Sequence, residues 1–265
     1  MLIPLPELTD RNAPIEELAL ALARDVHPRL HPAEARETLD QLAVTLAGLD
    51  TARPLTQARA LTTHLFGRGG FAGNEADYYD PRNSCLDWVL AARRGIPITL
   101  AVVLMAVARR VGIRTEGIGF PGHFLARVGG EVLIDPFAGG VVGEAGFERL
   151  VRRFLGDRSA LSESHVQPVD SQAIIVRMVL NLRHALIRKG DHGGALLACD
   201  RLVDLTHDIA YRRDRGLLAL KLGSPSAAAA DLQAYLKARP TAKDIPQVQA
   251  ALRRAEAATN PTHFS

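Results

Sequence analysis

Apolar positions recur at helical spacing in three blocks between residues 14 and 67. Pro14 opens the first block, which carries Leu18, Leu20, Leu22 and Val26. A proline suits a first helical turn, where its missing N–H would have had no partner. Pro28 and Pro32 bracket the gap before a second helix, expected from about Pro32 to Leu46, and a third is expected from about Thr56 to Phe66. Gly67, Gly69, Gly70 and Gly73 then break the pattern ahead of Tyr78-Tyr79-Asp80-Pro81-Arg82. Ser84 is expected to cap a helix through Ala92, and Pro97 to sit in the first turn of a helix from Ile98 to Val111, stopped by Gly112. From Leu100 to Ala108 that helix is apolar all round. It must be covered on every side, so it should be the central helix of its domain.

The texture changes after Gly112. Ile113 to Phe120, His123 to Val128 and Glu131 to Asp135 read as short strands separated by Pro121-Gly122 and Gly129-Gly130. They should form a small antiparallel sheet against the buried helix. With Val128-Gly129-Gly130 as a three-residue loop, Arg127 faces Glu131, Ala126 faces Val132, Leu125 faces Leu133, Phe124 faces Ile134 and His123 faces Asp135. This register collects Phe124, Ala126, Val132 and Ile134 on one apolar face. A two-residue turn would set Phe124 opposite Asp135 and mix the faces, so the longer loop is expected.

The polar stretch from Gly156 to Ser171 separates this region from a tail that is helical throughout, and the expected domains are residues 1–160 and 170–258. In the tail Gly190 and Gly223 repeat at a spacing of 33, as do Ala195 and Ala228, each glycine following an apolar helix. This spacing, with Asp214-Arg215-Gly216, Leu222-Gly223 and Pro240, resembles tetratricopeptide repeats. Residues 244–257 supply a capping helix. Stacked repeat helices form a groove that generally receives a protein or peptide partner.

Composition narrows the classes. Hydrophobic residues at 47% and charged residues at 23% are ordinary globular values over 265 residues, while aromatics are only 5%, a balance that favours helices. The net charge of +3 is spread along the chain, and Arg109-Arg110 and Arg152-Arg153 read as solvated helix faces, so no nucleic-acid partner is expected. Cys85 and Cys199 are too far apart for a CxxC site or a disulfide framework. No apolar run reaches the roughly 18 residues of a bilayer span, and Met1 to Glu7 carry no leader-like pattern. The expectation is a cytoplasmic protein with no membrane association. With no HExxH motif, neither a metal nor another cofactor is expected.

Chemistry concentrates on three residues. His123 and Asp135 should meet across the hairpin, where the carboxylate would orient the imidazole and fix its tautomer. Cys85 is the one thiol that precedes them, and a Cys85-His123-Asp135 triad could process amides as a hydrolase or acyltransferase. The alternatives are that Cys85 is a small buried apolar residue and that the His123–Asp135 bond is structural. A small molecule bound in the His123/Asp135 cleft is a third reading.

The order of thiol, imidazole and carboxylate resembles the transglutaminase-like superfamily of papain-type folds. The whole chain resembles the bacterial invasion-regulator (Sir-B type) family, which joins such a domain to C-terminal tetratricopeptide repeats. The residues that carry the resemblance are Tyr79 to Ser84, Arg94 to Leu100, Gly119 to Leu125 and Ile134 to Phe137 with Gly139-Gly140. The resemblance implies an α+β fold: a mostly helical transglutaminase-like domain with a small antiparallel sheet, followed by an all-α repeat module. It also implies a nucleophile at the start of the buried helix, where this chain has Pro97, Ile98 and Thr99. Cys85 falls on the preceding helix. A hydroxyl is far less acidic than a thiol and does not readily replace it. The leading expectation is therefore a non-catalytic or degenerate transglutaminase-like protein serving as a protein-interaction or regulatory component.

Overall fold

The computed structural model describes residues 8, 10, 13–156 and 163–259. Met1 to Glu7 and residues 157–162 of the polar stretch lie outside them. The chain divides into two compact units, Met1–Met178 and Val179–Ser265.

The first unit opens with α1 (Ile15–Val26), α2 (Pro32–Val44) and α3 (Pro54–Thr62), the last running on into a π turn over Thr63–Arg68. Two two-residue strands, β1 (Ala72–Gly73) and β2 (Arg94–Gly95), pair in parallel and flank α4 (Leu86–Ala92). The capping expectation needs correction. Ser84 belongs to a short 3-10 turn, Pro81–Ser84, and Cys85 takes the N-cap of α4 in extended conformation. Pro81 starts a tight turn stabilised by Asp80, which accepts from the Arg82 amide, and that turn occupies the space where a longer helix would have begun.

The buried helix is α5 (Pro97–Arg110), and its residues from Pro97 to Leu104 and Ala106 to Ala108 are buried. It packs against α1, α2, α4 and two strands of the sheet, so apolar sequence on every face finds apolar cover. Of its C-terminal arginines Arg109 is exposed, as the sequence suggested, while Arg110 is largely buried, and both are paired. Arg109 Nη2 and Arg110 Nη1 reach Glu16 Oε1 at 2.5 and 2.7 Å, and Arg110 Nε reaches Asp40 at 2.6 Å. Glu16 is fully buried, and a carboxylate there requires these partners.

The sheet has the order β6-β5-β4-β3-β7, built from β3 (Thr115–Ile118), β4 (Leu125–Val128), β5 (Val132–Asp135), β6 (Gly140–Val141) and β7 (Pro168–Val169), all antiparallel. The hairpin loop has the expected length but sits at Gly129-Gly130-Glu131, because Val128 pairs with Val132, Arg127 with Leu133 and Ala126 with Ile134. Gly129 and Gly130 both adopt left-handed φ values, 60° and 83°, which places the turn over them. The register therefore slips by two residues from the expected one. An even slip leaves every side chain on its face, so Ala126 and Ile134 still share the buried side. Between the sheet strands comes α6 (Glu144–Leu155), which lays Phe147, Leu150, Val151 and Phe154 over Ile118, Phe120 and Leu125.

Helix α7 (Ser171–Lys189) contains the division between the units. In the second unit it is followed by α8 (His192–Thr206), α9 (Ile209–Lys221), α10 (Pro225–Ala238) and α11 (Ile245–Thr259). Gly190 and Gly223 end corresponding helices at φ values of 80° and 76°, and Ala195 and Ala228 are fully buried at corresponding positions in the helices that follow. Gly216 lets α9 and α10 approach: a Cβ there would lie 3.1 Å from Asp231 and Leu232. A charge pattern repeats as well. Arg183 binds Asp214 at 2.5 Å and Arg213 binds Asp244 at 2.6 Å, each pair separated by 31 positions.

Candidate functional site

The His123 site is assembled from the turn before β4 and the turn after β5. Phe120 to His123 form a tight turn in which the His123 amide donates to the Phe120 carbonyl at 3.0 Å. Gly122 occupies the left-handed region at φ 69°, and a Cβ there would stand 2.7 Å from the Phe154 ring. Glycine is therefore required twice over, for its φ and for the close approach of Phe154. Arg177 Nη2 fastens the turn from behind by donating to the carbonyls of Phe120 and His123 at 3.0 and 2.6 Å. Burial lowers the pKa of that guanidinium, although Tyr78 counteracts the effect.

His123 and Asp135 do meet. Nε2 lies 3.0 Å from Asp135 Oδ1, and both side chains are about nine-tenths buried. The approach is off the direction of a hydrogen bond, so Nε2 makes none among the described residues. Oδ1 instead accepts from the amides of Phe137 and Ala138 at 2.9 and 3.1 Å, closing the turn that follows β5. Burial alone would push the Asp135 carboxyl up, but His123 and these two amides outweigh it and hold it below its ordinary value. The imidazole is packed as an aromatic: it stacks on Phe154 with centroids 5.1 Å apart and planes at 19°, and meets Phe137 edge-on. Tyr78 lies edge-on to Phe137 in turn.

The thiol belongs to a different cluster. Cys85 Sγ, His27 and Asp87 bring one potential ligand atom each to within 4.8 Å of one another. His27 Nδ1 is 2.8 Å from Asp87 Oδ2. Cys85 is 1% exposed, and its weak sulfur contact is the Pro81 carbonyl at 3.9 Å. Burial, reinforced by Asp87 and Asp80, drives the thiol pKa far above its ordinary value, so the sulfur stays protonated at neutral pH. Thr99, at the start of α5, is fully buried. Its hydroxyl donates to the Asn83 carbonyl at 2.7 Å and accepts from the Ile96 amide at 3.2 Å, which ties the 3-10 turn to the helix start.

Sequence reasoning missed His27, Asp87, Phe154 and Arg177. For Phe154 a signal existed in the spacing of Phe147, Leu150, Val151 and Phe154, an amphipathic helix pattern. For His27 nothing local pointed to a residue 60 positions away.

Comparison with known proteins follows the same division. The family profile described as Transglutaminase-like superfamily matches residues 33–180, and a tetratricopeptide-repeat profile matches residues 182–253. A UPF0162 protein of Xylella fastidiosa (strain 9a5c) is 36% identical over 258 residues, covering 92% of this chain and 91% of its own. The chain belongs to the UPF0162 family. A UPF0162 protein of Vibrio cholerae is 29% identical over 83% of this chain and 84% of its own. Mouse F-box only protein 21 is 29% identical over 39% of this chain and 19% of its own, so that similarity covers one segment only. No solved structure matches the chain. The UPF0162 relatives named here are bacterial, and the transglutaminase-like and repeat parts agree with the resemblance read from the sequence. No helix among the described residues is long and apolar enough to cross a membrane.

Proposed function

We propose that this UPF0162 protein is a non-catalytic transglutaminase-like protein that acts as an interaction or regulatory component through its tetratricopeptide-like module. The observation that carries the reading is the state of the two groups that could attack a carbonyl. The Thr99 hydroxyl is consumed by hydrogen bonds to its own backbone surroundings, and the Cys85 thiol is buried and protonated. Neither offers a nucleophile to a bound substrate. His123 and Asp135 serve as a structural link between two turns, wedged by Phe154.

On the repeat side, Leu197 and Leu217, on helices whose other faces are packed, and Leu222, just past the end of α9, are each about two-fifths exposed, apolar positions available to a protein or peptide segment. Incubating the full chain with a glutaminyl peptide and a primary amine should yield no acyl adduct on Cys85 or Thr99 by mass spectrometry and no turnover. Cross-links to bacterial proteins should map within residues 182–253. An acyl adduct on Cys85 or Thr99, or cross-links confined to residues 33–180, would overturn the proposal.

A second reading rests on a cavity of about 370 Å³ bordered by Asp135, Val141, Leu150, Arg149 and Arg153. Two arginines at its edge favour a small anionic molecule in this cavity, which reaches Asp135, the residue that faces His123. Equilibrium dialysis with carboxylate and phosphate compounds tests it, with Arg149→Ala and Arg153→Ala expected to weaken any retention.

A further inference from the structure

The cluster at Cys85 has a composition that its surroundings leave unexplained. It is drawn from two separate elements. His27 caps the C-terminus of α1, Cys85 caps the N-terminus of α4, and Asp87 lies in the first turn of α4. Cys85 uses no side-chain bond for its capping role. Asp87 directs Oδ2 to His27, but Oδ1 is buried and has no hydrogen-bond partner among the described residues. A buried carboxylate oxygen without a partner carries a desolvation cost that folded proteins usually relieve with a donor or a cation. Close beside it lie a thiol and an imidazole, the two side chains that a borderline-soft cation prefers.

We propose that His27, Cys85 and Asp87 form a binding site for a divalent zinc-type cation, held by one nitrogen, one sulfur and one oxygen. Charge supports this choice. A thiolate and a carboxylate balance a dication, so the loaded cluster is neutral as a whole, whereas an isolated thiolate at this depth would be strongly disfavoured. Distances support it too. Tetrahedral zinc with bonds of roughly 2.0–2.3 Å sets its ligand atoms about 3.3–3.8 Å apart. The widest separation, up to 4.8 Å, needs to close by about 1 Å, and His27 Nδ1 and Asp87 Oδ2, at 2.8 Å, to open by about 0.5 Å, both within the reach of side-chain torsions. The His27 side chain is 32% exposed, while Cys85 is 1% exposed, so the cluster opens to solvent on the imidazole side and a water can complete the coordination there. On binding, the Cys85 S–H bond breaks, the sulfur keeps the electron pair that bonds the metal, and the proton leaves to solvent.

Cobalt(II) is the probe, because thiolate coordination gives it a near-ultraviolet charge-transfer band. The full-length protein, stripped with a chelator, is titrated with Co²⁺. The expected result is a band saturating at one equivalent, displaced by Zn²⁺, retained in Cys199→Ser and lost in Cys85→Ser. Absence of the band in the wild type, its survival in Cys85→Ser or its loss in Cys199→Ser would overturn the proposal. His27→Gln alters a partly exposed residue and guards against a misfolded cysteine variant. It should bind Zn²⁺ at least tenfold more weakly and lose the rise in melting temperature that Zn²⁺ gives the wild type. Equal affinity, or no rise in the wild type, would also overturn it.

Discussion

Two histidine–carboxylate pairs lie in the same unit, and their carboxylates are used in opposite ways. At His123 the carboxylate of Asp135 is tied down by two backbone amides, and the imidazole is stacked on Phe154. At His27 the carboxylate of Asp87 keeps a buried oxygen that has no partner among the described residues, with a thiol beside it. The same two side chains thus make a structural clamp in one place and a set of potential ligands in the other. What decides the chemistry is not the pair but what occupies the spare lone pairs of its carboxylate.

The clamp can be broken most severely at its anion. Asp135→Ala removes the acceptor of the Phe137 and Ala138 amides and the buried carboxylate facing His123, and should destabilise the first unit by about 3 kcal/mol. Trp88, the single tryptophan, lies in that unit and reports its urea transition by fluorescence. Gly122→Ala attacks the same clamp from the aromatic side. The new methyl meets Phe154 at a left-handed φ, so about 2 kcal/mol should be lost and the ring should leave the imidazole.

The repeat unit sharpens the contrast. There Asp231 accepts from Arg212 at 2.9 Å and from Arg215 at 2.6 Å, and the arginine side chains are partly exposed. Asp231 is itself buried, but asparagine keeps its volume and one acceptor oxygen, so Asp231→Asn should cost about 1.5 kcal/mol, read from the helical circular-dichroism transition of the full chain. Acid should produce the smallest effect at the clamp. Because the folded-state pKa of Asp135 is depressed, its stabilisation is fully present above the unfolded-state value near 4, and it is lost as pH falls through the lowered folded-state value. The stability gap between wild type and Asp135→Asn, measured by urea titration with Trp88 fluorescence, should narrow below pH 4 and stay constant between pH 6 and 8.

These regions also differ in how far they could be read in advance. The buried helix was legible because Leu100 to Ala108 allow no solvent face, and the repeat because Gly190 and Gly223 mark helix ends that need left-handed backbone. His123 and Asp135 were legible because strand alternation survives an even slip of register, even though the loop lay one residue further on than expected and each strand partner two. Strand β7 was not. It is two residues long, begins with a proline, and exists only because β3 offers it an edge. The His27 contact was invisible for a related reason: it depends on the packing of α1 against α4, a tertiary outcome that no local pattern encodes.

The central claim is that the fold of this family persists here without an attacking group. Alkylation of the native, metal-free protein by iodoacetamide at pH 7 tests it most directly, with mass spectrometry reading Cys85 separately from Cys199. Cys85 should react far more slowly than an exposed thiol, accelerate only with sub-denaturing urea, and be no slower in a folded His123→Gln variant. Rapid modification of Cys85 in the absence of urea, abolished in that variant, would contradict the account.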